Sequence, residues 1–338
     1  LVAGTGADAA VPSIGRAHAA IVVVSFGAHE LLADSLTAIG HDPEQVRIVV
    51  VDNYHSTTER AAITALAQEH GWDLRPMPTN LGFGAAVNIG VDAAFAAGCD
   101  AVVVLNPDAT VAATTVEALA EVVRREPMTM VAPRIVRPDG RVWFKGGRLD
   151  LRTGEAARPG GRGDAHFWIT GACFAISSTL WAASGGFDDD YFLYWEDLDL
   201  SWRCLRAGGE LVVRNDLQAV HSVGGTQDPT GKSSVYYYYN CRNRLLFAAK
   251  HLPRRALAGW LLRTPGASWR ILLRGGGKRG LARSPKLLWA GVRGTFAGAR
   301  VAVAALISGG GEGGLAQRRS AAPTPDDSPA PSERVASW

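Results

Sequence analysis

The amino-terminal half of the chain alternates short, unbroken apolar runs with segments of helical spacing, and the runs stop at polar residues. Ala19-Ala20-Ile21-Val22-Val23-Val24 ends in Ser25, Val46 to Val51 ends in Asp52-Asn53, and Ala101 to Leu105 ends in Asn106-Pro107-Asp108. Runs with no polar alternation describe strands buried on both faces. Between them, Leu31, Leu32, Leu36 and Ile39 have helical spacing, Thr58 to His70 reads as a helix, and an Ala-rich helix runs to Ala97. Leu74 to Pro78 is a third candidate strand. Such a rhythm predicts right-handed βαβ crossovers and a parallel sheet with helices on both faces. Ligands of such sheets sit beyond the carboxyl ends of strands, where Ser25, Asp52 and Asp108 fall.

The second half is less regular. Residues 134–168 are rich in Gly, Arg and turn formers and suggest a hairpin-like excursion, with Phe167 to Ser177 returning as a strand around Thr170-Gly171-Ala172. A short helix over 179–184, a turn at Gly185-Gly186-Phe187-Asp188, a helix over 196–207 and strands at Leu211–Arg214 and Ala219–His221 follow. From Ser234 to about Ser308 the pattern is helical and basic: fifteen Lys and Arg and no Asp or Glu lie between Asp228 and Glu312. The expected organisation is a flexible leader (1–17), a catalytic α/β domain (18–245), a basic helical region (246–308) and a disordered tail (309–338). Tryptophans 260, 269 and 289 and Phe296 among the basic residues suit an anionic membrane interface, or else the helices pack on the core with a solvated basic face. No nucleic-acid-binding motif accompanies the charge. The four cysteines form no CxxC pair or Cys/His cluster, which argues against a disulfide framework or zinc site. With no signal-peptide pattern and no uninterrupted apolar stretch of membrane-spanning length, the expectation is a cytoplasmic protein, soluble or peripheral on the inner face of the plasma membrane. No pattern sets an oligomeric state.

Asp52 can accept hydrogen bonds from a ribose hydroxyl or base N–H, or serve as a turn or cap residue. Asn106-Pro107-Asp108 places a carboxylate where a hard cation bridging a diphosphate would sit, although an Asx or Pro turn uses the same residues. Asn80-Leu81-Gly82-Phe83-Gly84, with Asn88 one turn on, opens a helix with backbone N–H groups that can face a ligand. Val87 occupies the third glycine position of G-x-G-x-x-G, which weakens a dehydrogenase reading. The densest segment is Tyr194-Trp195-Glu196-Asp197-Leu198-Asp199-Leu200-Ser201-Trp202-Arg203. At 100° per residue, Leu198, Trp202 and Leu205 form an apolar seam, and Glu196, Asp199, Arg203 and Arg206 share one flank. Acids in a first helical turn complement the dipole, which accounts for Glu196 and Asp199. Asp197 faces the other flank with Ser201, without a basic neighbour, and is the candidate general base. His221 ends the last strand, as ligand or as structural hydrogen bonder.

This ordered set resembles glycosyltransferase family 2, and within it the bacterial rhamnosyltransferase-like branch, over roughly residues 19–250. The motifs are Val-Val-Asp52-Asn53, Asn80 to Gly84 with Asn88, Asn106-Pro107-Asp108, Thr170-Gly171, Gly185 to Asp188, Trp195-Glu196-Asp197-Leu198-Asp199 with Arg203, and His221. The resemblance implies a GT-A nucleotide-diphospho-sugar transferase fold, α/β with a mostly parallel central sheet flanked by helices, and the basic helices behind it. It implies a nucleotide-sugar donor contacted by Ser25, Asp52, Asn53, Asn80, Gly82, Gly84, Asn88, Asn106, Thr170, Gly171, Trp195 and Glu196. It further implies Asp197 as catalytic base and Mg²⁺ or Mn²⁺ held by Asp108 with His221. Asn106 stands where the family's D-x-D motif has its first acid, as is usual in this branch.

The implied reaction is an inverting transfer of a sugar to a hydroxyl of a cell-envelope or polyprenyl-linked glycan. The favoured donor is dTDP-rhamnose, with UDP-galactofuranose and GDP-mannose as alternatives. Nucleotidyl transfer is disfavoured, because Ser25-Phe26-Gly27-Ala28 supplies no Gly-rich basic loop after the first strand. A binding module that has lost catalysis would not need Asp52, Asp108, Asp197 and His221 together.

Overall fold

The computed structural model describes residues 19–27, 29–40, 42–157, 165–222, 232–274 and 284–308. The expected leader and tail lie outside these residues. The first half follows the sequence rhythm closely: β1 (Ala19–Ser25), α1 (His29–Thr37), β2 (Val46–Asp52), α2 (Thr57–His70), β3 (Asp73–Pro76), α3 (Phe83–Ala96) and β4 (Ala101–Leu105). Strands β1 and β4 are buried at every position, as unbroken runs of Val, Ile and Ala require. Fully burying each Val or Ile contributes about 1.5–3 kcal/mol. Helix α2 begins at Ser56, whose hydroxyl accepts from the Glu59 N–H, and ends at Gly71 in the left-handed region.

Next come β5 (Ala109–Val111), α4 (Ala113–Arg125), β6 (Thr129–Val136), β7 (Val142–Phe144), β8 (Gly147–Asp150), β9 (Glu155–Ala157), β10 (Ala165–Trp168) and β11 (Cys173–Ser177). The described chain closes with α5 (Ser178–Ser184), α6 (Glu196–Arg206), β12 (Glu210–His221), α7 (Ser234–His251), α8 (Arg254–Leu272) and α9 (Pro285–Ile307). The main sheet has nine strands in the order β3-β2-β1-β4-β11-β6-β12-β5, with β7 paired to β6. Its first four strands are mutually parallel, as predicted. β11 then enters antiparallel between β4 and β6, and β12 runs parallel to β6.

The expected strand from Phe167 to Ser177 is interrupted. β10 belongs to a separate three-stranded sheet with β8 and β9, and Thr170-Gly171-Ala172 forms the crossing between the sheets. The two strands expected at Leu211–Arg214 and Ala219–His221 are one strand, whose register with β6 shifts between Arg214 and Gln218. The irregularity carries β12 on to pair with β5, opposite His221.

The basic helices form a layer behind α6. Leu198 and Trp202 of α6 pack with Leu245, Phe247, Trp260 and Ala302 in one apolar cluster, so the boundary expected at 245/246 falls inside α7 and inside a shared core. α9 is long and apolar enough to cross a membrane by length and composition alone, although Lys286, Arg293 and Arg300 interrupt its apolar run. A third of its apolar window is buried in the protein, against α7 and α8.

Close approach of α9 to α7 requires glycine. A Cβ on Gly294 would overlap the Tyr238 carbonyl oxygen, and one on Gly298 would stand 2.8 Å from that of Arg242. We expect Gly294→Ala to force the helices apart and destabilise the protein by about 1–3 kcal/mol, read as a lower denaturation midpoint. An unchanged midpoint would show that α9 does not dock as described.

Candidate active site

At the carboxyl edge of the parallel strands, Ser25 is fully buried, its hydroxyl has no hydrogen-bond partner, and its carbonyl accepts the Asn53 N–H at 2.9 Å. Asn53 reaches the next loop: its amide donates to Asn80 Oδ1 at 2.9 Å and to the Gly82 carbonyl at 3.1 Å, and its oxygen accepts the Leu81 N–H. Gly82 has a positive φ of 88°, and a Cβ there would overlap the Phe192 carbonyl. Glycine therefore lets the Asn80–Gly84 turn lie against the segment leading into α6.

Asp52 sits at the same edge, but its carboxylate is engaged. Oδ2 pairs with Arg60 Nε at 2.6 Å and Oδ1 accepts the Tyr54 N–H at 3.1 Å. Asn88 is committed to the fold: both amide hydrogens are used on the Phe187 carbonyl and Asp189, and its oxygen accepts the Phe187 N–H. Gly84 packs on the Phe187 side chain. Asn88 and Gly84 thus fix the Gly185–Asp188 turn rather than face the crevice.

Two stations meet across the Thr170–Ala172 crossing. The Gly171 N–H donates to Asp197 Oδ2 at 3.3 Å, and one residue on, the Ala172 carbonyl accepts the Asn106 N–H at 2.9 Å. The Phe83 ring lies over Gly171, joining this crossing to the Asn80–Gly84 turn. Beyond Asn106, the pairing of β5 with β12 puts His221 opposite Ala109, and His221 Nε2 lies 2.9 Å from Asp108 Oδ1. Asn106 Nδ2 is 3.5 Å from the same nitrogen. Both side chains of the pair are less than a tenth exposed, and Trp143 packs on the imidazole. A carboxylate and an imidazole on one point suit a borderline-hard divalent cation, with phosphate oxygens and water completing its shell. Among the described residues no three His, Cys, Asp or Glu side chains are grouped so that they could hold a metal ion.

The acids that open α6 differ in environment. Asp199 is fully buried, pairs with Arg203 at 2.7 Å and His251 at 2.5 Å, and is held below the ordinary carboxylate range by those partners despite its burial. Glu196 does not join that flank as its spacing suggests. Its Oε2 is buried without a partner, and burial together with the Asp197 charge pushes its pKa well above the ordinary value. Asp197 is partly open to solvent and forms no ion pair among the described residues. Burial raises its pKa to about 6, opposed by N–H donors of Gly171 and Leu198 and by the Thr170 hydroxyl. The adjacent pair therefore ionises at Asp197 first, with Glu196 neutral.

Sequence reasoning missed the group that holds this segment in place. Tyr194 and Trp195 both have positive φ, 65° and 76°, which non-glycine residues adopt at a cost of roughly 1–3 kcal/mol each. Asn243 of α7, fully buried, donates to the carbonyls of Leu193 at 3.0 Å and Tyr194 at 2.7 Å. The Trp195 ring is buried against Phe247 and Trp260. A buried asparagine between Cys241 and Leu245 is a poor helix residue, and that was the available signal.

The fold around this crevice, with its carboxylate–imidazole pair and a carboxylate outside any ion pair among the described residues, is the GT-A fold. Residues 20–181, a little under half the chain, match the family model for glycosyl transferase family 2. It is 25% identical over 237 residues to the N-acetylglucosaminyl-diphospho-decaprenol L-rhamnosyltransferase of Mycobacterium tuberculosis, covering 60% of this chain and 75% of that one. Two solved structures share the fold at 15% identity. One is GalNAc-T7 with UDP, GalNAc and Mn²⁺ (TM-score 0.52), covering 69% of this chain but only 48% of that one. The other is the mannosyltransferase PcManGT of Pyrobaculum calidifontis with GDP-Man and Mn²⁺ (TM-score 0.51), covering 86% and 87%.

Asn243→Ala removes two buried hydrogen bonds that hold the Tyr194–Trp195 turn. We expect a loss of about 2–3 kcal/mol in a denaturant titration. A loss below about 0.5 kcal/mol, the scale of a neutral surface change, would show that the turn holds itself.

Proposed function

We propose that the protein is an inverting, divalent-cation-dependent glycosyltransferase that moves a hexose from a nucleotide sugar to a hydroxyl of a lipid-linked or cell-envelope glycan. Asp197 carries this reading: it is a carboxylate with a pKa of about 6, without an ion-pair partner among the described residues, beside the Asn106–Asp108 segment. Rhamnose from dTDP-rhamnose is the favoured donor, supported by the likeness to the mycobacterial rhamnosyltransferase.

The nucleotide would lie along Ser25, Asn53 and Asn80. Asp52, oriented by Arg60, would accept from its base or ribose. Asp108 and His221 would hold Mg²⁺ or Mn²⁺, which would offset the charge of the leaving diphosphate. The acceptor oxygen attacks the anomeric carbon as its proton passes to the Asp197 carboxylate. The bond to the diphosphate breaks with its electron pair on the phosphate oxygen, and configuration inverts. Glu196, kept neutral by burial, leaves Asp197 as the basic member of the pair.

Asp197→Asn should abolish transfer while nucleotide-sugar binding, followed as a thermal shift with Mg²⁺ or Mn²⁺, persists. Near-wild-type turnover would refute the assignment of the base. A panel of dTDP-rhamnose, UDP-galactofuranose and GDP-mannose in the same assay separates the donors.

Two pH effects follow from the raised pKa. Turnover should rise with pH through about 6 as Asp197 ionises, then level off; a profile flat from pH 5 to 8 would count against it. Because the folded protein holds this proton more tightly than the unfolded chain, Asp197 contributes stability below pH 4 that is lost as pH rises through 6. At pH 8, Asp197→Asn should therefore raise the denaturation midpoint, by on the order of 1 kcal/mol after allowance for its partial exposure.

A further inference from the structure

We propose that a cleft between α7, α8 and the β8–β9 turn binds the phosphate group of a lipid-linked acceptor. This deepens the function proposed above and rests on it. The cleft has a volume of about 160 Å³ and is lined by Gly154, Trp195, Asn240, Arg244, Arg270 and Arg274, among others. Trp195, which lines the cleft, is two residues ahead of Asp197 in the chain.

Arg244 is only 2% exposed. Its N–H groups reach the carbonyls of Thr153, Gly154 and Trp260 and the hydroxyl of Thr264, and none reaches a carboxylate. A buried guanidinium whose hydrogen bonds are satisfied but whose charge is not is costly, and an anion nearby would relieve the cost. Burial and the neighbouring Arg270 push its pKa down to about 10, which leaves it cationic at neutral pH. Arg270 is ion-paired with Glu155, while Arg274 is exposed and has no ion pair among the described residues. Three cations therefore face one carboxylate. The cleft has room for a phosphate.

Exposed apolar side chains on α8, which lines the cleft, and on α9, which packs against α7 and α8, would seat an apolar chain. On α8, Leu262 is 82% and Trp269 46% exposed. On α9, Trp289, Phe296 and Val303 recur every seven residues on one exposed stripe, flanked by Arg293 and Arg300. Arg and Trp bordering an exposed apolar stripe match the interface of an anionic membrane. A soluble phosphate would need no such surface.

The test uses the full chain in EDTA, so that a cation-held diphosphate cannot bind elsewhere. Sedimentation is compared with phosphatidylcholine vesicles carrying polyprenyl phosphate or phosphatidylglycerol at equal charge. We expect a preference for polyprenyl phosphate, and a loss of at least about tenfold in that binding for Arg270→Ala/Arg274→Ala. Equal binding to both vesicles, or unchanged binding by the variant, overturns the site. Inorganic pyrophosphate serves as the soluble control: protection by it equal to that by the lipid overturns the lipid assignment. The nucleotide-sugar thermal shift is measured in parallel. It should be the same in wild type and variant, so loss of the cleft leaves the proposed function standing.

Discussion

The arrangement of the segment that opens α6 depends on one contact, the Asn243 side chain on the backbone of Leu193 and Tyr194. Helix α6 starts with no side-chain cap, directly after two residues in the left-handed region. Left alone, such a turn would relax and rotate the first turn of α6, and with it Asp197. Asn243 prevents this from one side. His251, on the same helix, holds Asp199 from the other. Lys250 ties the preceding loop through Asp188 and Asp190 at 2.5 and 2.6 Å. Helix α7 is therefore a structural part of the candidate site, although the expected boundary at 245/246 assigns its last residues, 246–251, to a separate basic region.

Three acids within four positions show how helical geometry separates chemical roles. Asp199 turns inward to Arg203 and His251 and is locked in the charged form. Glu196 is buried without a partner for one oxygen and is held neutral. Asp197 turns to the Gly171 N–H and stays partly solvated, with its pKa between those two extremes. The dipole of α6 favours negative charge at this end, which makes a concentration of acids tolerable. Burial and partners then decide which of them ionises near neutrality.

The parallel half of the sheet was legible because buried parallel strands leave an unbroken signal, and β1 spans the run read from Ala19 to Ser25. The flank argument found the Asp199–Arg203 pair because i,i+4 contacts are local. It misjudged Glu196, whose environment is set by packing from other elements. It also could not find Arg60 as the partner of Asp52, or Asn243 beneath Tyr194, because both contacts depend on how separate elements pack. Asn88 and Gly84 carried a ligand-like pattern whose structural task, holding the Phe187 turn, lies 99 residues away for Asn88. The return through residues 165–177 was read as one strand because nothing local marks the change from one sheet to the other.

The composition of α9 follows from the same logic. Gly291, Gly294, Gly298, Ala302 and Ala305 fall on one face, where the helix meets its neighbours so closely that at Gly294 and Gly298 not even a Cβ has room. Trp289 lies two residues, or 200°, from Gly291, and so projects from the opposite side. A helix serving only as a packed layer would carry polar residues there, since a surface helix normally confines apolar residues to one stripe. Here that side holds Trp289, Phe296 and Val303, and the protein's own packing leaves them exposed. Small residues inward and large apolar residues outward, with arginines alongside, give the helix two distinct faces: one against α7, which also holds the turn before α6, and one facing away from the protein. Through α7, the inner face connects α9 to Asn243 and so to the turn that opens α6.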